Sequence, residues 1–179
     1  LVRHGEASAG WASHPDPGLS KKGRLQAKNT GKGLIDLISH YQLCSSPKKR
    51  ALETMEIINN ENRYPIKIDS HFIEIPSGNI HKEKKNDWLM NIFTSPIEEL
   101  PDTVKEWRNN LIHWLQNAEG NFIITTHYMV INVLISSIIN NNVISYFHPD
   151  YASRTEIFLK NGNLEQIILG DNKKTVINL

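Results

Sequence analysis

The chain has 179 residues, and its 20 Lys and Arg against 19 Asp and Glu give a formal net charge of +1. This length suits one domain, expected over residues 1–179, and the balanced charge excludes a protein dedicated to nucleic acid or to a charged membrane surface. Cys44 is the only cysteine, which excludes an internal disulfide and fits a reducing, cytoplasmic compartment. No targeting segment is visible, and because an initiator Met is lacking, we expect a few residues to precede Leu1.

The opening residues place an arginine, a histidine and a glycine after the end of a short apolar strand. Arg3 offers planar donors to phosphate oxygens, His4 offers a nitrogen that can attack phosphorus, and Gly5 lets the backbone turn. In isolation this triplet favours a structural ion pair for Arg3 and a hydrogen-bonded polar role for His4. A phosphate site therefore requires matching residues elsewhere in the chain.

The next segments predict a loop, a helix, a strand and a second helix. Residues 7–18 are polar and contain two prolines, which predicts a loop beside the opening motif. A helix is predicted over residues 20–39 with Ser20 as its N-cap. Residues 43–45 form a short predicted strand, and Ser46-Pro47 then begins a helix that carries Arg50 in its first turn.

The middle of the chain holds two short extended segments and a longer helix. Residues 66–68 and 72–75 are predicted to be extended, and the second places Glu74 at a transition from strand to loop. The charged run 82–85 is typical of a solvated face. A helix with an apolar stripe is predicted from Pro101-Asp102 up to Gly120.

The last third predicts a buried strand, a buried helix and a hairpin. Residues 122–125 are continuously apolar, as in a strand buried on both faces, and deliver His127 to its carboxyl end. The apolar residues 129–139 are about half the ~20 residues that a membrane-spanning helix needs. Residues 155–169 form a predicted hairpin around Asn161-Gly162-Asn163. The alternation predicts an α/β fold: a three-layer αβα sandwich with a mostly parallel central sheet and a C-terminal edge hairpin.

The strand ends bring the chemically informative residues together. Ligands of open α/β sheets bind outside the carboxyl ends of the strands, so side chains at those ends converge. The residues placed there are Arg3, His4, Arg50, Glu74 and His127. Two arginines and two histidines can then surround one phosphate. A metal site is disfavoured because a cation sits badly beside two arginines, and neither a P-loop nor a dinucleotide-binding pattern occurs.

These segments resemble the histidine phosphatase superfamily, also called the phosphoglycerate mutase-like superfamily, over most of the chain. Residues 3–6 match its opening motif, and residues 19–27 resemble its leucine, hydroxyl, glycine, glutamine and alanine pattern. Residues 45–54 resemble its second arginine motif almost position for position. Glu74 with Gly78 fits the segment that carries the family's acid, and Thr126-His127 before an apolar helix fits its second histidine.

The chain departs from the family pattern beside the motifs. Ala7, Ala9 and Gly10 stand where mutase-like members often have a hydroxyl residue, a tryptophan and an asparagine. Tyr128 and Met129 replace the glycine pair that commonly follows the second histidine. We expect these changes to alter the shape of the substrate pocket more than the core chemistry.

The resemblance implies a mechanism that needs neither a cofactor nor a metal. His4 attacks phosphorus and forms a phosphohistidine, and nearby Arg3 and Arg50 favour the neutral imidazole that this attack requires. Arg3, Arg50 and His127 hold the phosphate oxygens. Glu74 donates a proton to the leaving alcohol and later takes one from water.

The expected function is hydrolysis of a phosphorylated small molecule or of a phosphorylated protein side chain, with no nucleic-acid or membrane partner. Mutase-type phosphoryl transfer is the nearest alternative, and the short chain favours hydrolysis because mutases usually carry additional enclosing segments. A non-catalytic phosphate-binding module on the same scaffold is a third possibility, which both histidines and Glu74 argue against. Asp69, Glu83 and a residue in the loop after Glu74 are alternative proton donors, and the sequence leaves the oligomeric state and the substrate open.

Overall fold

A four-stranded parallel sheet forms the centre of the computed structural model, which describes residues 1–10, 14–59, 63–78, 80–160 and 163–177. In their order across the sheet, the strands are β1 (Val2–Arg3), β4 (Phe122–Thr126), β2 (Gln42–Ser45) and β3 (Ile66–Ile68). Arg3 lies opposite Thr126, and Ser45 lies opposite Thr125. The carboxyl ends of β1, β4 and β2 are therefore level with one another.

Helices cover both faces of this sheet. They are α1 (Lys21–Lys32), α2 (Lys49–Ile58), α3 (Lys85–Thr94), α4 (Asp102–Gln116) and α5 (Tyr128–Ile138). The alternation of side chains along β2 and β4 explains the layers. Leu43 and Ile123 pack in one apolar cluster with α2, whereas Cys44 and Ile124 pack in another with α3, α4 and α5. The predicted three-layer α/β fold is confirmed.

A C-terminal hairpin completes the fold, as predicted. Strand β5 (Glu156–Lys160) pairs antiparallel with β6 (Asn163–Ile168), and Asn161 and Gly162 of the predicted turn lie outside the described residues. The segment before β5 meets β1 through an antiparallel bridge between Val2 and Arg154. The hairpin thus follows directly from a segment attached to the β1 edge of the sheet.

The first helix is shorter than its sequence pattern predicts. A helix was expected over residues 20–39, and Ser20 does cap it by accepting a hydrogen bond from the Gly23 N–H group. However, α1 ends at Lys32, and the N–H of Gly33 turns back onto the carbonyls of Thr30 and Gly31. A single turn of 3₁₀ helix, Ile38–His40, follows later. Glycine's low helix propensity explains the early end.

One other expectation about the middle of the chain was wrong. The segment 72–75 is not a strand: a 3₁₀ turn, Ser70–Phe72, is capped by the Asp69 carboxylate, and Glu74 follows in irregular chain. The charged run 82–85 is largely exposed, as expected of a solvated face, and it leads into α3, where Leu89 and Ile92 are buried. None of the helices in the described ranges is long and apolar enough to cross a membrane.

Candidate active site

The two histidines lie side by side because they follow adjacent parallel strands at the same level. Arg3 and Thr126 are paired in the sheet, so His4 and His127 are the next residues on each strand. A hydrogen bond of 2.9 Å from the His4 N–H group to the Thr126 carbonyl continues this pairing. The ring centroids are 5.2 Å apart, and both side chains are buried.

His4 is held in one tautomer. Its Nδ1 atom lies 2.7 Å from the carbonyl oxygen of Gly5, which can only accept, so the proton of the neutral ring is on Nδ1. Nε2 is then free of hydrogen and accepts a hydrogen bond of 3.2 Å from Nε of Arg50. Burial, followed by the charges of Arg50 and Arg3, lowers the pKa of His4 well below its usual range. The imidazole is therefore neutral, with its nucleophilic nitrogen beside a guanidinium.

The loop after β1 and the helix after β2 are locked together around His4. The hydroxyl of Thr54 accepts from the Gly5 N–H group at 3.1 Å and donates to the Arg50 carbonyl at 2.7 Å. On its other side, Gly5 packs against Gly23 of α1, and a Cβ atom on Gly5 would lie only 2.5 Å from the Gly23 carbonyl oxygen. Both glycines are thus required by close backbone approach.

His127 is also neutral but is held differently. Its Nε2 atom lies 2.7 Å from the hydroxyl of Ser46, whereas Nδ1 has no hydrogen-bond partner among the described residues. Burial, then the charge of Arg50, lowers the pKa of His127 well below its usual range. A buried polar atom without a partner is costly and rare, so Nδ1 is a group that a bound ligand can satisfy.

Glu74 is a buried carboxyl with a raised pKa. Its Oε1 atom accepts from the N–H groups of Ile75 at 3.0 Å and of Met129 at 3.2 Å, and Oε2 has no partner within the described ranges. Burial raises the pKa to about 7, against the opposing effects of those N–H groups and of Arg50 and Arg3. Since Oε1 is an acceptor, the proton of the neutral form belongs on Oε2.

Asp69 and Glu83, as alternative proton donors, do not share the environment of Glu74. Asp69 is committed to the 3₁₀ turn, where its carboxylate lies 2.7 Å from Nδ1 of His71, and bonds from His71 and Lys67 lower its pKa although burial raises it. Glu83 is exposed. In the described part of the chain, no group of three or more His, Cys, Asp and Glu side chains could hold a metal ion.

Arg3 is buried, and its guanidinium donates hydrogen bonds to the C-terminal part of the chain. Nη1 donates to the Pro149 carbonyl at 2.7 Å and to the Thr175 hydroxyl, and Nη2 donates to the Val176 carbonyl at 2.7 Å. The guanidinium carbon lies 4.2 Å from the ring centroid of Tyr151 and 5.2 Å from that of Tyr128. Tyr128 is therefore part of the Arg3 environment.

All of the residues predicted for the site meet here. Arg3, His4, Arg50, Glu74 and His127 are each at most 4% exposed. His4 contacts Arg50 and His127, and the Glu74 carboxyl accepts from the N–H group of Met129, two residues after His127. Four contributors were not predicted: Ser46, Thr54, Tyr151 and the segment around Thr175. Ser46 and Thr54 lie inside the motif at residues 45–54, which offered a signal, whereas nothing in the sequence near Thr175 indicates a contact with Arg3.

Comparisons with known proteins identify a family and similar folds. The family model described as the histidine phosphatase superfamily (branch 1) matches residues 1–171. The 2,3-bisphosphoglycerate-dependent phosphoglycerate mutase of Thermoplasma acidophilum is 28% identical over 151 residues, covering 76% of this chain and 73% of that protein. YhfR of Bacillus stearothermophilus superposes with a TM-score of 0.75 at 23% identity, over 92% of each chain. Phosphoserine phosphatase of Entamoeba histolytica, in complex with 3-phosphoglyceric acid, gives 0.72 at 19% identity, over 97% of this chain and 95% of that one.

Proposed function

The chain belongs to the histidine phosphatase superfamily, branch 1, and from that premise we propose that it hydrolyses a phosphomonoester through a phosphohistidine on His4. The observation that carries the proposal is the state of His4: neutral, protonated on Nδ1, with an unprotonated Nε2 that accepts a hydrogen bond from Arg50. A histidine nucleophile needs this unprotonated nitrogen, and the transferring phosphoryl group needs positive charge beside it.

In the first step of the proposed reaction, Nε2 of His4 attacks phosphorus and forms an N–P bond. The P–O bond to the leaving alcohol breaks, and its electron pair stays on that oxygen. Glu74 donates the Oε2 proton to this oxygen, since its pKa of about 7 keeps a large fraction protonated near neutral pH. Arg50, together with Arg3 and Nδ1 of His127, which has no partner among the described residues, holds the phosphoryl oxygens.

In the second step, water attacks the phosphorus of phospho-His4. Glu74, now a carboxylate, takes a proton from the water, and the N–P bond breaks with its electron pair returning to Nε2. Inorganic phosphate leaves, and both His4 and Glu74 return to their starting states. One carboxyl thus serves as acid and then as base, which a pKa near the working pH favours.

The substrate in this proposal is a small phosphate ester or a phosphorylated side chain. The E. histolytica relative of known structure is a phosphoserine phosphatase in complex with 3-phosphoglyceric acid, so small phosphorylated acids are the first compounds to test. The T. acidophilum relative is a phosphoglycerate mutase, which keeps transfer of the phosphoryl group to a second hydroxyl as the second candidate function.

The decisive experiment incubates the protein with phosphoserine, 3-phosphoglycerate, 4-nitrophenyl phosphate and phosphohistidine-containing peptides. Wild type is compared with His4→Ala and with His40→Ala, which changes an exposed histidine as a matched control. Released phosphate, isomerised phosphoglycerate and a phosphoryl group retained on the protein are measured together.

Hydrolysis predicts phosphate release and a trapped phosphoryl group on His4, both lost in His4→Ala and retained in His40→Ala. Isomerised phosphoglycerate without net phosphate release would instead support the mutase. Hydrolysis that continues at the wild-type rate in His4→Ala would show that His4 is not the nucleophile. Phosphate binding with no turnover of any compound would support a binding module.

A further inference from the structure

The guanidinium of Arg3 is satisfied on one edge only. Both N–H groups of Nη1 are used, by the Pro149 carbonyl and the Thr175 hydroxyl, and Nη2 donates to the Val176 carbonyl. A guanidinium carries five N–H donors in a fixed plane. Nε, on the remaining edge, is buried and has no hydrogen-bond partner among the described residues.

The partners of Arg3 are all uncharged. Two are backbone carbonyls, one is a hydroxyl, and two are the aromatic rings of Tyr151 and Tyr128. No ion pair in the described ranges includes Arg3, although the residue is fully buried. A buried charge whose direct contacts are all neutral is costly, which marks the open edge as the place for an anion.

The C-terminal residues that hold Arg3 are themselves attached to a loop beside the site. Asp150 N–H donates to the Asp171 carbonyl at 2.8 Å, and Lys173 N–H donates to the His148 carbonyl at 2.7 Å. The hydroxyl of Tyr151 donates to the Val176 carbonyl at 2.9 Å, so this carbonyl accepts from both Tyr151 and Arg3. The C-terminal segment is thus hydrogen-bonded to this loop at Asp171 and Lys173, before it reaches Arg3, and again at Val176, where it contacts the guanidinium.

We propose that Thr175 and the Val176 carbonyl are positioning groups for phosphate binding: they fix one edge of Arg3 so that Nε faces the phosphoryl oxygens. The inference rests on the proposed function, because it assumes that the anion at Arg3 is the substrate's phosphate. Fixing a long, flexible side chain before the ligand arrives lowers the entropic cost of binding. Thr175 acts through Arg3 and makes no contact with substrate in this arrangement.

The test measures inorganic phosphate and orthovanadate binding by calorimetry, with KM and kcat on the best substrate found. Thr175→Val keeps the shape of the side chain but removes the acceptor, and Thr175→Ser keeps the hydroxyl. Tyr151→Phe keeps the ring over Arg3 but removes the bond to Val176. The control is Thr94→Val, which removes an exposed hydroxyl that bonds to backbone carbonyls of α3.

We expect Thr175→Val to weaken phosphate binding about tenfold, as for the loss of one hydrogen bond to a charged group. KM should rise by a similar factor while kcat changes less, Thr175→Ser should stay within about twofold of wild type, and Tyr151→Phe should fall between them. Thr94→Val should match wild type. If Thr175→Val does not fold, Thr175→Ser and Tyr151→Phe still decide the question through the same ranking.

Unchanged phosphate affinity in both Thr175→Val and Tyr151→Phe would overturn the inference. Tighter binding in Thr175→Val would overturn it as well, because Thr175 would then compete with phosphate for Arg3. The proposed function is tested separately, by the dependence of hydrolysis on His4. A phosphate affinity that depends on Thr175, in a protein whose hydrolysis does not depend on His4, would leave this inference standing and remove that mechanism.

Discussion

Two regions of the molecule act on neighbouring parts of one site. The carboxyl ends of β1, β2 and β4 supply the reactive and charged side chains, each placed by the parallel register of the sheet. The C-terminal residues 170–177 supply a hydroxyl and a carbonyl that hold Arg3. In the proposed mechanism, the first region provides the reacting groups, and the second positions Arg3.

The strand-end region and the C-terminal segment also differ in solvent exposure. Arg50, Thr54 and Ser46 at the strand ends are all fully buried or nearly so, whereas Val176 in the C-terminal segment is 63% exposed. Interactions in the buried region cannot be replaced by water, so their loss is expensive. Substitutions at the strand ends should therefore reduce the chemical step strongly, and those in the C-terminal segment should change binding modestly.

The largest expected effect belongs to Glu74→Gln. The amide keeps the shape and can still accept from Ile75 and Met129, but it cannot transfer a proton. We expect kcat to fall by about 10²–10⁴ for an alkyl phosphate such as phosphoserine, and by much less for 4-nitrophenyl phosphate, whose leaving group needs no acid. Steady-state kinetics on both substrates measure this. The control is Glu83→Gln at an exposed position, and equal losses on the two substrates would exclude Glu74 as the acid.

Arg50→Lys should cause the next largest fall in kcat. The substitution keeps the charge but removes the planar donors, including Nε, which lies 3.2 Å from His4 Nε2. We expect kcat to fall by about 10²–10³, as for the loss of a preorganised donor to a charged transition state. Arg24→Lys, at an exposed residue that pairs with Glu53, is the matched control. A loss below about fivefold, with the fold intact by thermal unfolding, would contradict the role given to Arg50.

The strand-end region was predictable because its rules are local. Strand register and the motif around Arg50 predict that four of the five side chains lie at one edge of the sheet, since parallel strands end at the same edge. Glu74 reached the site although its segment is not a strand: the 3₁₀ turn capped by Asp69 replaces it. A short apolar segment fits either structure, so the sequence pattern did not distinguish them.

The C-terminal region was not predictable for the opposite reason. The bonds from Arg3 to Thr175 and Val176 join residues more than 170 positions apart, and the acceptors are a common hydroxyl and a backbone carbonyl. No residue type or spacing in the sequence predicts such a contact. The sequence at Tyr128 likewise does not indicate that its ring lies beside the Arg3 guanidinium.

The pH dependence of stability tests the buried state of Glu74. Its pKa is raised from 4.5 to about 7, so between these values the folded protein binds more protons than the unfolded chain. The free energy of unfolding therefore decreases as the pH rises through this range, by about 3 kcal/mol for this one group. His4 and His127, whose pKa values are lowered, act in the opposite direction below about pH 6.5.

Glu74→Gln separates these contributions because only the carboxyl is removed. We expect the stability of the variant, relative to wild type, to increase by about 3 kcal/mol between about pH 4.5 and pH 7.5, measured by urea unfolding. Glu83→Gln should show no such trend. A difference between variant and wild type that is independent of pH would mean that Glu74 ionises in the folded protein at its ordinary pKa.

The smallest expected effect belongs to Asn172→Ala. This variant tests whether residues that anchor the C-terminal segment matter as much as those that contact Arg3. Asn172 Oδ1 accepts from the His148 N–H group at 3.1 Å, an exposed contact that helps to anchor the segment. We expect phosphate affinity to fall about two- to threefold, because the bond between Lys173 and His148 remains. Asn117→Ala, at the exposed end of α4, is the control. A loss as large as that of Thr175→Val would mean that the segment holds Arg3 as one cooperative unit, and its anchors would then matter as much as its contacts.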